Sequence, residues 1–278
     1  MKIDTYRDLQ SQGTNPKDKF SILRMVEINP TELCNRRCSF CPRSNRLVYR
    51  NKNKHIDIET IENLSYGLKE INFNNRLGFV GFGEPLLCKT IFESIKTVNS
   101  ILPNLQWLEV NTNGDKLTTD NIEKLYNAGC THITISMYDS DKSEYFESLK
   151  KDIPVELVFR HHYDPSVNYN LNIVNRSELL KNKNKIYNNN ACFLPFYKAM
   201  IDWNGDVLLC NNDWSRKNKF GNVNKDKFKN IWFGKELNNF RKKLLIERKS
   251  CNPCKNCSIN GKLRGIDSVE IFSNYYSG

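Results

Sequence analysis

The chain predicts an α/β fold: a parallel sheet of the barrel-like kind, followed by a small C-terminal α+β part rich in cysteine. Three observations predict it. Short apolar runs alternate with segments of helical period from residue 25 to residue 160. The runs end in turn signals or polar loops. Beyond a Lys/Asn-rich stretch at 181–190, cysteines return among short elements and a hairpin pattern. Repeated βα units of this length imply parallel strands joined by right-handed crossovers.

Residues 25–30 read as a short strand running into a cysteine loop. Ile58, Ile61, Leu64, Leu68 and Ile71 recur at helical spacing and predict a helix over 58–71. Residues 77–82 are apolar and read as a buried strand. A helix over 90–101 is followed by Pro103, beyond its end. Residues 105–110 form the next strand, closed by the turn signal Asn111-Thr112-Asn113-Gly114. A helix over 119–128 stops at Gly129, and 132–136 is a strand. Residues 143–150 read as a short helix with Ser143 as its N-cap. Residues 155–160 are another strand, and 171–174 a sixth. The cysteine loop and the segments 81–85, 111–114 and 136–139 each follow a strand. In barrel-like α/β folds such segments share the face that carries the chemistry. The boundary falls near residue 188, dividing the chain into 1–188, with a core at 22–175, and 189–278. Residues 200–209 predict a hairpin turning at Asn204-Gly205, and 228–248 a helix.

With 278 residues the chain can bury a sizeable core. No apolar run approaches the ~20 residues of a membrane span. The start, Met1-Lys2-Ile3-Asp4-Thr5, lacks the apolar centre of a signal peptide, so a cytoplasmic protein is expected. In that reducing setting ten cysteines point to metal or redox chemistry rather than disulfides. Cys88 and Cys130 stand apart and read as small buried hydrophobes. The net charge is +11, and Arg36, Arg37, Arg43, Arg46, Arg50, Lys52 and Lys54 fall between Leu33 and Ile56 without an acid among them. Such a stretch binds nucleic acid, an anionic substrate or an acidic partner, or is merely a solvated loop.

Cys34, Cys38 and Cys41 form a C-x3-C-x2-C triplet. Three thiolates on one loop can hold three irons of a cubane and leave the fourth open, whereas clusters that only carry electrons normally have four Cys ligands. A zinc site favours C-x2-C pairs and four ligands, so the triplet fits zinc poorly. With the aromatic Phe40 just before its last cysteine, the triplet resembles the signature of the radical S-adenosylmethionine (SAM) superfamily. Gly81-Phe82-Gly83-Glu84-Pro85 resembles that family's Gly-Gly-Glu-Pro segment, with a Phe in place of one Gly. Asn111, Asn113 and the strand ending at Ser136 resemble its third- and fourth-strand ends. The likeness covers residues 22–175.

The resemblance implies a partial (β/α)6 TIM-like barrel. It implies a [4Fe–4S] cluster on Cys34, Cys38 and Cys41, with SAM held by Phe40, Gly81, Gly83, Glu84, Pro85, Asn111, Asn113 and Ser136. It also implies cleavage of SAM to methionine and a 5′-deoxyadenosyl radical that takes a hydrogen from substrate. Cys192, Gly205 and Cys210, then Cys251, Cys254 and Cys257, resemble the twitch or SPASM extension found behind such domains. That likeness implies a second, auxiliary [4Fe–4S] cluster. Four ligands suffice, taken as Cys192, Cys210, Cys251 and Cys254, with Cys257 able to replace one of them. Four thiolates would also suit a structural zinc ion.

The layout resembles twitch-type dehydrogenases of sugar or aminocyclitol alcohols, with the auxiliary cluster accepting the second electron. Oxidising an alcohol needs a base and groups that orient hydroxyls. Candidates at strand ends are Arg160 and Glu27 first, then Asn29, His161 and His162. The expected partners are a small substrate, anionic or a polyol, and an acidic flavodoxin-like electron donor docking on the basic loop. Neither a membrane nor nucleic acid is expected as a partner. A peptide-modifying maturase is the second enzyme reading, although only about twenty residues precede the first strand. A zinc-dependent nucleic-acid-binding protein is the reading from another class; it leaves the βα repeats and the 81–85 segment unexplained.

Overall fold

The computed structural model describes residues 19–162, 179–180 and 190–276. The first half repeats strand and helix: β1 (Met25–Ile28), α1 (Ile58–Lys69), β2 (Arg76–Phe79), α2 (Ile91–Ile101), β3 (Trp107–Thr112), α3 (Thr119–Asn127), β4 (His132–Met137), α4 (Ser143–Lys150) and β5 (Glu156–His161). The second half adds α5 (Leu194–Tyr197), β6 (Lys198–Ile201), β7 (Asp206–Leu208), β8 (Lys219–Asn222), α6 (Phe228–Trp232), α7 (Lys235–Ile246) and α8 (Ile266–Tyr276).

Local chemistry sets the helix starts. Asp57 caps α1 by accepting from the Thr60 amide at 2.7 Å. Thr118 caps α3 by accepting from Asn121 at 3.2 Å. The expected cap of α4 is displaced by one residue. Lys142 occupies that position, and Ser143 is already helical, its hydroxyl donating to Asp141 at 2.6 Å. The helix expected over 228–248 is broken into α6, α7 and a 3₁₀ turn at Arg248–Ser250. Gly234 makes the break: a Cβ there would collide with the Asn230 carbonyl oxygen.

One sheet runs in the order β5-β4-β3-β2-β1-β6-β7-β8. The pairs from β5 to β1 and the β1–β6 pair are parallel; β6–β7 and β7–β8 are antiparallel. The strand expected at 171–174 and the boundary near residue 188 lie outside the described residues. Among the described residues the sixth parallel strand is β6, which covers the free edge of β1. The cysteine-rich hairpin thereby extends the barrel sheet instead of forming a sheet of its own. Its expected turn at Asn204-Gly205 is present, with Gly205 in the left-handed region at φ +85°.

Strand alternation divides the sheet into two faces. Val26, Ile28, Leu77, Phe79, Val110, Ile133 and Ile135 pack with Ile61, Leu64, Leu68, Ile95 and Ile122 in the main core. Glu27, Asn29, Gly78, Glu109, Asn111, Ser136 and Arg160 alternate with those residues and so lie on the opposite, inner face. An inner face this polar is a poor core and a good site. Among the described residues no helix is long and apolar enough to cross a membrane.

Candidate active site

The inner face ends at the loops that follow β1 to β4. The triplet loop follows β1 and is clasped to the neighbouring strand ends. Arg36 donates to Asp115 beyond β3 and, at 2.9 Å, to Asp139 beyond β4. Asn35 donates to Asp115 at 2.7 Å and accepts from Asn113 at 2.9 Å. The Arg36 bonds hold the Asp115 carboxyl below its ordinary range. A cavity of about 490 Å³ opens here, lined by Arg36, Asn113, Asp115, Tyr138 and Asp139 among others.

Cys34, Cys38 and Cys41 are half-buried on this loop. Burial, then the nearby Cys41, pushes the Cys38 thiol up to about 11. Cys34 is raised by burial and, further down, by the same neighbour. These thiols lie close enough to oppose one another's ionisation, and a cationic group would relieve that opposition. Among the described residues no three His, Cys, Asp or Glu side chains converge on a position for a single ion. A cubane offers its irons at separate corners, so its ligands stand wider than those of one ion.

The segment 81–85 lies against the triplet loop. The Glu84 amide donates to the Leu33 carbonyl at 2.7 Å. A Cβ on Gly83 would collide with the carbonyl oxygens of Thr31 and Leu33, and one on Gly81 would come within 2.6 Å of the Asn29 Cβ. Both glycines are required by this close backbone approach. Glu84 is buried, and burial pushes its carboxyl up to about 6. It accepts from Thr112 at 2.6 Å, from the Asn113 amide at 2.9 Å and from the Leu86 amide at 3.2 Å. Glu84 thus ties this segment to the end of β3, and Pro85 begins a 3₁₀ turn. Asn111 accepts from Ser136 at 3.3 Å. Phe40 packs on Tyr138 with ring centroids 5.1 Å apart, and Tyr138 stacks on His162 at 5.1 Å.

The catalytic candidates separate. Glu27 is buried and accepts from Lys198 of β6 at 3.0 Å, while its Oε2 has no hydrogen-bond partner among the described residues. Arg160 is half-buried opposite Ser136 in the β4–β5 register. Asn29, expected as a substrate contact, is wholly buried and occupied. It donates to Asp202 at 2.8 Å and accepts from the amides of Phe82 and Gly83 at 2.8 and 3.2 Å. His161 lies 3.8 Å from Asp141, at the outer end of β5.

The second cysteine group comes together in the C-terminal part. Cys192, Cys210, Cys254 and Cys257 line one small cavity, with Arg248, Ile259 and other residues; Cys251 is not among them. Burial, then Cys210, Cys192 and Cys257, pushes the Cys254 thiol far above its ordinary range. Cys210 is raised likewise by burial, Cys257 and Cys192. Burial raises the Cys251 thiol, and its Sγ faces the Glu247 carbonyl at 3.7 Å. Cys251 packs with Cys192 and Cys254 in one buried cluster, and it caps the 3₁₀ turn that follows α7. Arg248 knits the CxxC loop by donating to the carbonyls of Cys254, Cys257 and Ile259 at 3.0–3.2 Å. No pair among the ten cysteines forms a disulfide, and Cys88 and Cys130 are buried as expected.

The basic stretch is only partly available to a partner. Arg43 is buried, its guanidinium donating to the Phe82 carbonyl and, at 2.6 Å, to Asn51. Arg36 is held by its two aspartates. Arg37, Arg46, Arg50, Lys52 and Lys54 are exposed.

Residues 28–160 match the Radical SAM superfamily, and residues 192–258 match SPASM, an iron-sulfur cluster-binding domain. The chain is a radical SAM enzyme with a SPASM domain. The radical SAM part takes SAM as cofactor, and the SPASM part binds auxiliary iron–sulfur chemistry. This radical SAM chain is 27% identical over 242 residues to the S-adenosyl-L-methionine-dependent 2-deoxy-scyllo-inosamine dehydrogenase of Niallia circulans, covering 85% of this chain and 93% of that protein. It is 32% identical over 138 residues to the GTP 3',8-cyclase of Alkaliphilus metalliredigens (strain QYMF), covering 49% of this chain and 41% of that protein. Among solved structures it is similar to BtrN in complex with AdoMet and 2-DOIA, with TM-score 0.72 and 25% identity over 86% of this chain and 94% of that one.

Proposed function

We propose that this radical SAM enzyme oxidises a secondary alcohol on a small polyol or aminocyclitol to a ketone, using the auxiliary cluster as electron acceptor. The observation that carries this reading is the likeness to the 2-deoxy-scyllo-inosamine dehydrogenase over 85% of this chain and 93% of that protein. The GTP cyclase likeness covers only 49% of this chain and 41% of that protein, and so carries less weight.

When bound, the cluster and SAM supply one-electron cleavage of SAM and the hydrogen abstraction that follows. The chain's own residues supply the rest. Cys34, Cys38 and Cys41 would hold the first cluster. Gly81 and Gly83 let the backbone approach SAM, and Phe40 and Tyr138 wall the site with aromatic rings. Cys192, Cys210, Cys254 and Cys257, which line one cavity, would hold the auxiliary cluster. Arg160 orients a substrate hydroxyl from the end of β5. The Glu27 Oε2, buried and lacking a partner on the inner face, accepts the hydroxyl proton, with Lys198 fixing the other oxygen. An acidic flavodoxin-like donor docks on Arg37, Arg46, Arg50, Lys52 and Lys54, beside the triplet. A reducing, cytoplasmic setting suits ten cysteines outside disulfides.

The test is an anaerobic assay of reduced protein with SAM and 2-deoxy-scyllo-inosamine or other cyclitols. The expected result is 5′-deoxyadenosine together with a substrate lighter by about two mass units. Iron content should be about eight per chain, as for two four-iron clusters. Formation of 5′-deoxyadenosine without oxidation of any cyclitol or sugar would reject the substrate class. Zinc without labile sulfide would reject the reading altogether.

A further inference from the structure

Arg216 lies in the loop six residues after Cys210, in the cysteine-rich part, yet its guanidinium reaches the triplet loop. It donates to Glu32, to Asp202 and to the Tyr49 hydroxyl. It also lies over the Phe82 ring, 4.5 Å from the centroid, and over Tyr49 at 5.5 Å. Its backbone is left-handed, φ 53°. A non-glycine residue keeps that conformation only where its surroundings over-determine it, and such residues cluster at functional sites. Asp213 provides the constraint, accepting from Ser215, Lys217 and Asn218 at 3.0–3.3 Å.

The partners of Arg216 lead onward in two branches. Asp202, at the end of β6, accepts from Asn29 at 2.8 Å, and Asn29 accepts from the amides of Phe82 and Gly83. Glu32 pairs with Arg43 at 3.6 Å; Arg43 donates to the Phe82 carbonyl and to Asn51. Asn51 in turn holds the Cys34 backbone, accepting from its amide at 3.2 Å and donating to its carbonyl at 2.9 Å. Two carboxylates and two guanidiniums close a buried cage with no net formal charge. Both branches end on backbone atoms next to Gly83 and Cys34.

We propose that Arg216, supplied by the auxiliary-cluster part of the chain, is a positioning residue for the 81–85 segment and the Cys34 loop. It acts through Asp202–Asn29 and Glu32–Arg43. The cage makes SAM affinity depend on a side chain from the second domain. Arg43 meets Glu32 only as a 3.6 Å ion pair, longer than a hydrogen bond, while its Nε and Nη1 serve Phe82 and Asn51. The inference rests on the reading that residues 81–85 receive SAM.

The experiment uses the cluster-loaded full chain with Arg216→Gln, Arg216→Lys and Asn29→Ala, and the Arg216→Gln/Asn29→Ala double variant. Hydrogen exchange of the peptide covering Phe82 and Gly83 is read without SAM, and SAM affinity by equilibrium binding. Arg216→Gln should speed exchange in that peptide and weaken SAM binding by about tenfold, the usual scale for loss of a supporting hydrogen-bond partner. Iron content should not change. Arg216→Lys keeps the charge balance, so it guards against misfolding; one ammonium cannot span three acceptors, so it should show the same local effect. In the double variant the losses should not add, since both residues act on the same two amides. Unchanged exchange in that peptide, additive losses, or a rise in exchange spread evenly over the chain would overturn the role of Arg216. Faster local exchange with unaltered SAM affinity would instead overturn the reading of 81–85 as the SAM segment.

Discussion

Glu84→Gln isolates one buried charge at the junction of the 81–85 segment and β3. Burial raises this carboxyl from the ordinary 4.5 to about 6. That rise corresponds to roughly 2 kcal/mol of extra preference for the protonated form in the native state. A raised carboxyl contributes stability that is fully present below pH 4.5 and is lost as the pH climbs through 6. Between pH 5 and pH 7.5 the linkage amounts to about 1 kcal/mol. Gln cannot ionise, so it removes this slope. It also replaces one oxygen by an NH₂ group. Whichever way the amide faces, a donor meets a donor, because the two oxygens accept from the Leu86 and Asn113 amides separately. Stranding one buried N–H costs about 1–3 kcal/mol. The variant should therefore be less stable than the parent throughout, and the gap should widen by about 1 kcal/mol on going from pH 7.5 to pH 5. In an anaerobic melt that widening is about 2–4 °C. Parallel melting curves for parent and variant across this range would refute the buried-carboxylate reasoning.

Gly83→Ala places a methyl group against two carbonyl oxygens that belong to backbone and cannot swing away; it should leave iron content intact and abolish the change in the cluster's EPR signal on adding SAM, and a retained change would contradict the close approach. Cys257→Ser should halve the iron, to about four per chain, while Cys251→Ser should leave it whole; the reverse pattern would restore Cys251 as ligand. Glu27→Gln keeps the hydrogen bond from Lys198 and removes the base, so substrate oxidation should fall by about 10²–10⁴ while SAM cleavage continues; equal loss of both would place Glu27 in SAM binding. Replacing Arg46 and Arg50 by Gln should slow reduction by flavodoxin at low salt and matter little at high salt; rates insensitive to both would remove the docking surface from this loop.

The strand and helix alternation was legible because it depends on periods that each segment carries alone. The triplet, the glycines of 81–85 and the turn at Asn204-Gly205 were legible for a related reason: each is a short stretch whose spacing already implies a geometry. The misplaced features depend on partners far away in sequence. Asn29 reads as one more polar residue at a strand end, and only Asp202, 173 residues on, turns it inward. Arg43 sits in a run of cations and looks like its exposed neighbours. Its burial comes from the Phe82 carbonyl, 39 residues away, and no local pattern distinguishes it from Arg46. Cys251 and Cys257 sit at equal spacing on either side of Cys254, so spacing weighs them equally. What distinguishes them is tertiary: the end of α7 sets Cys251 against the Glu247 carbonyl, while Cys257 lines the small cavity with Cys192, Cys210 and Cys254. Lys198 follows an apolar stretch and gave no signal as a site residue. It became one because β6 pairs with β1, which sets Lys198 opposite Met25 and within reach of Glu27. That pairing is also why the second half of the chain cannot be treated as an appendage. Its first strand completes the inner face, and its Arg216 reaches the loop that carries Cys34. A residue can be assigned to chemistry from local pattern only when the pattern fixes where its side chain points; at this site that holds for the triplet cysteines and the glycines, and fails for Arg43 and Lys198, whose surroundings come from distant segments.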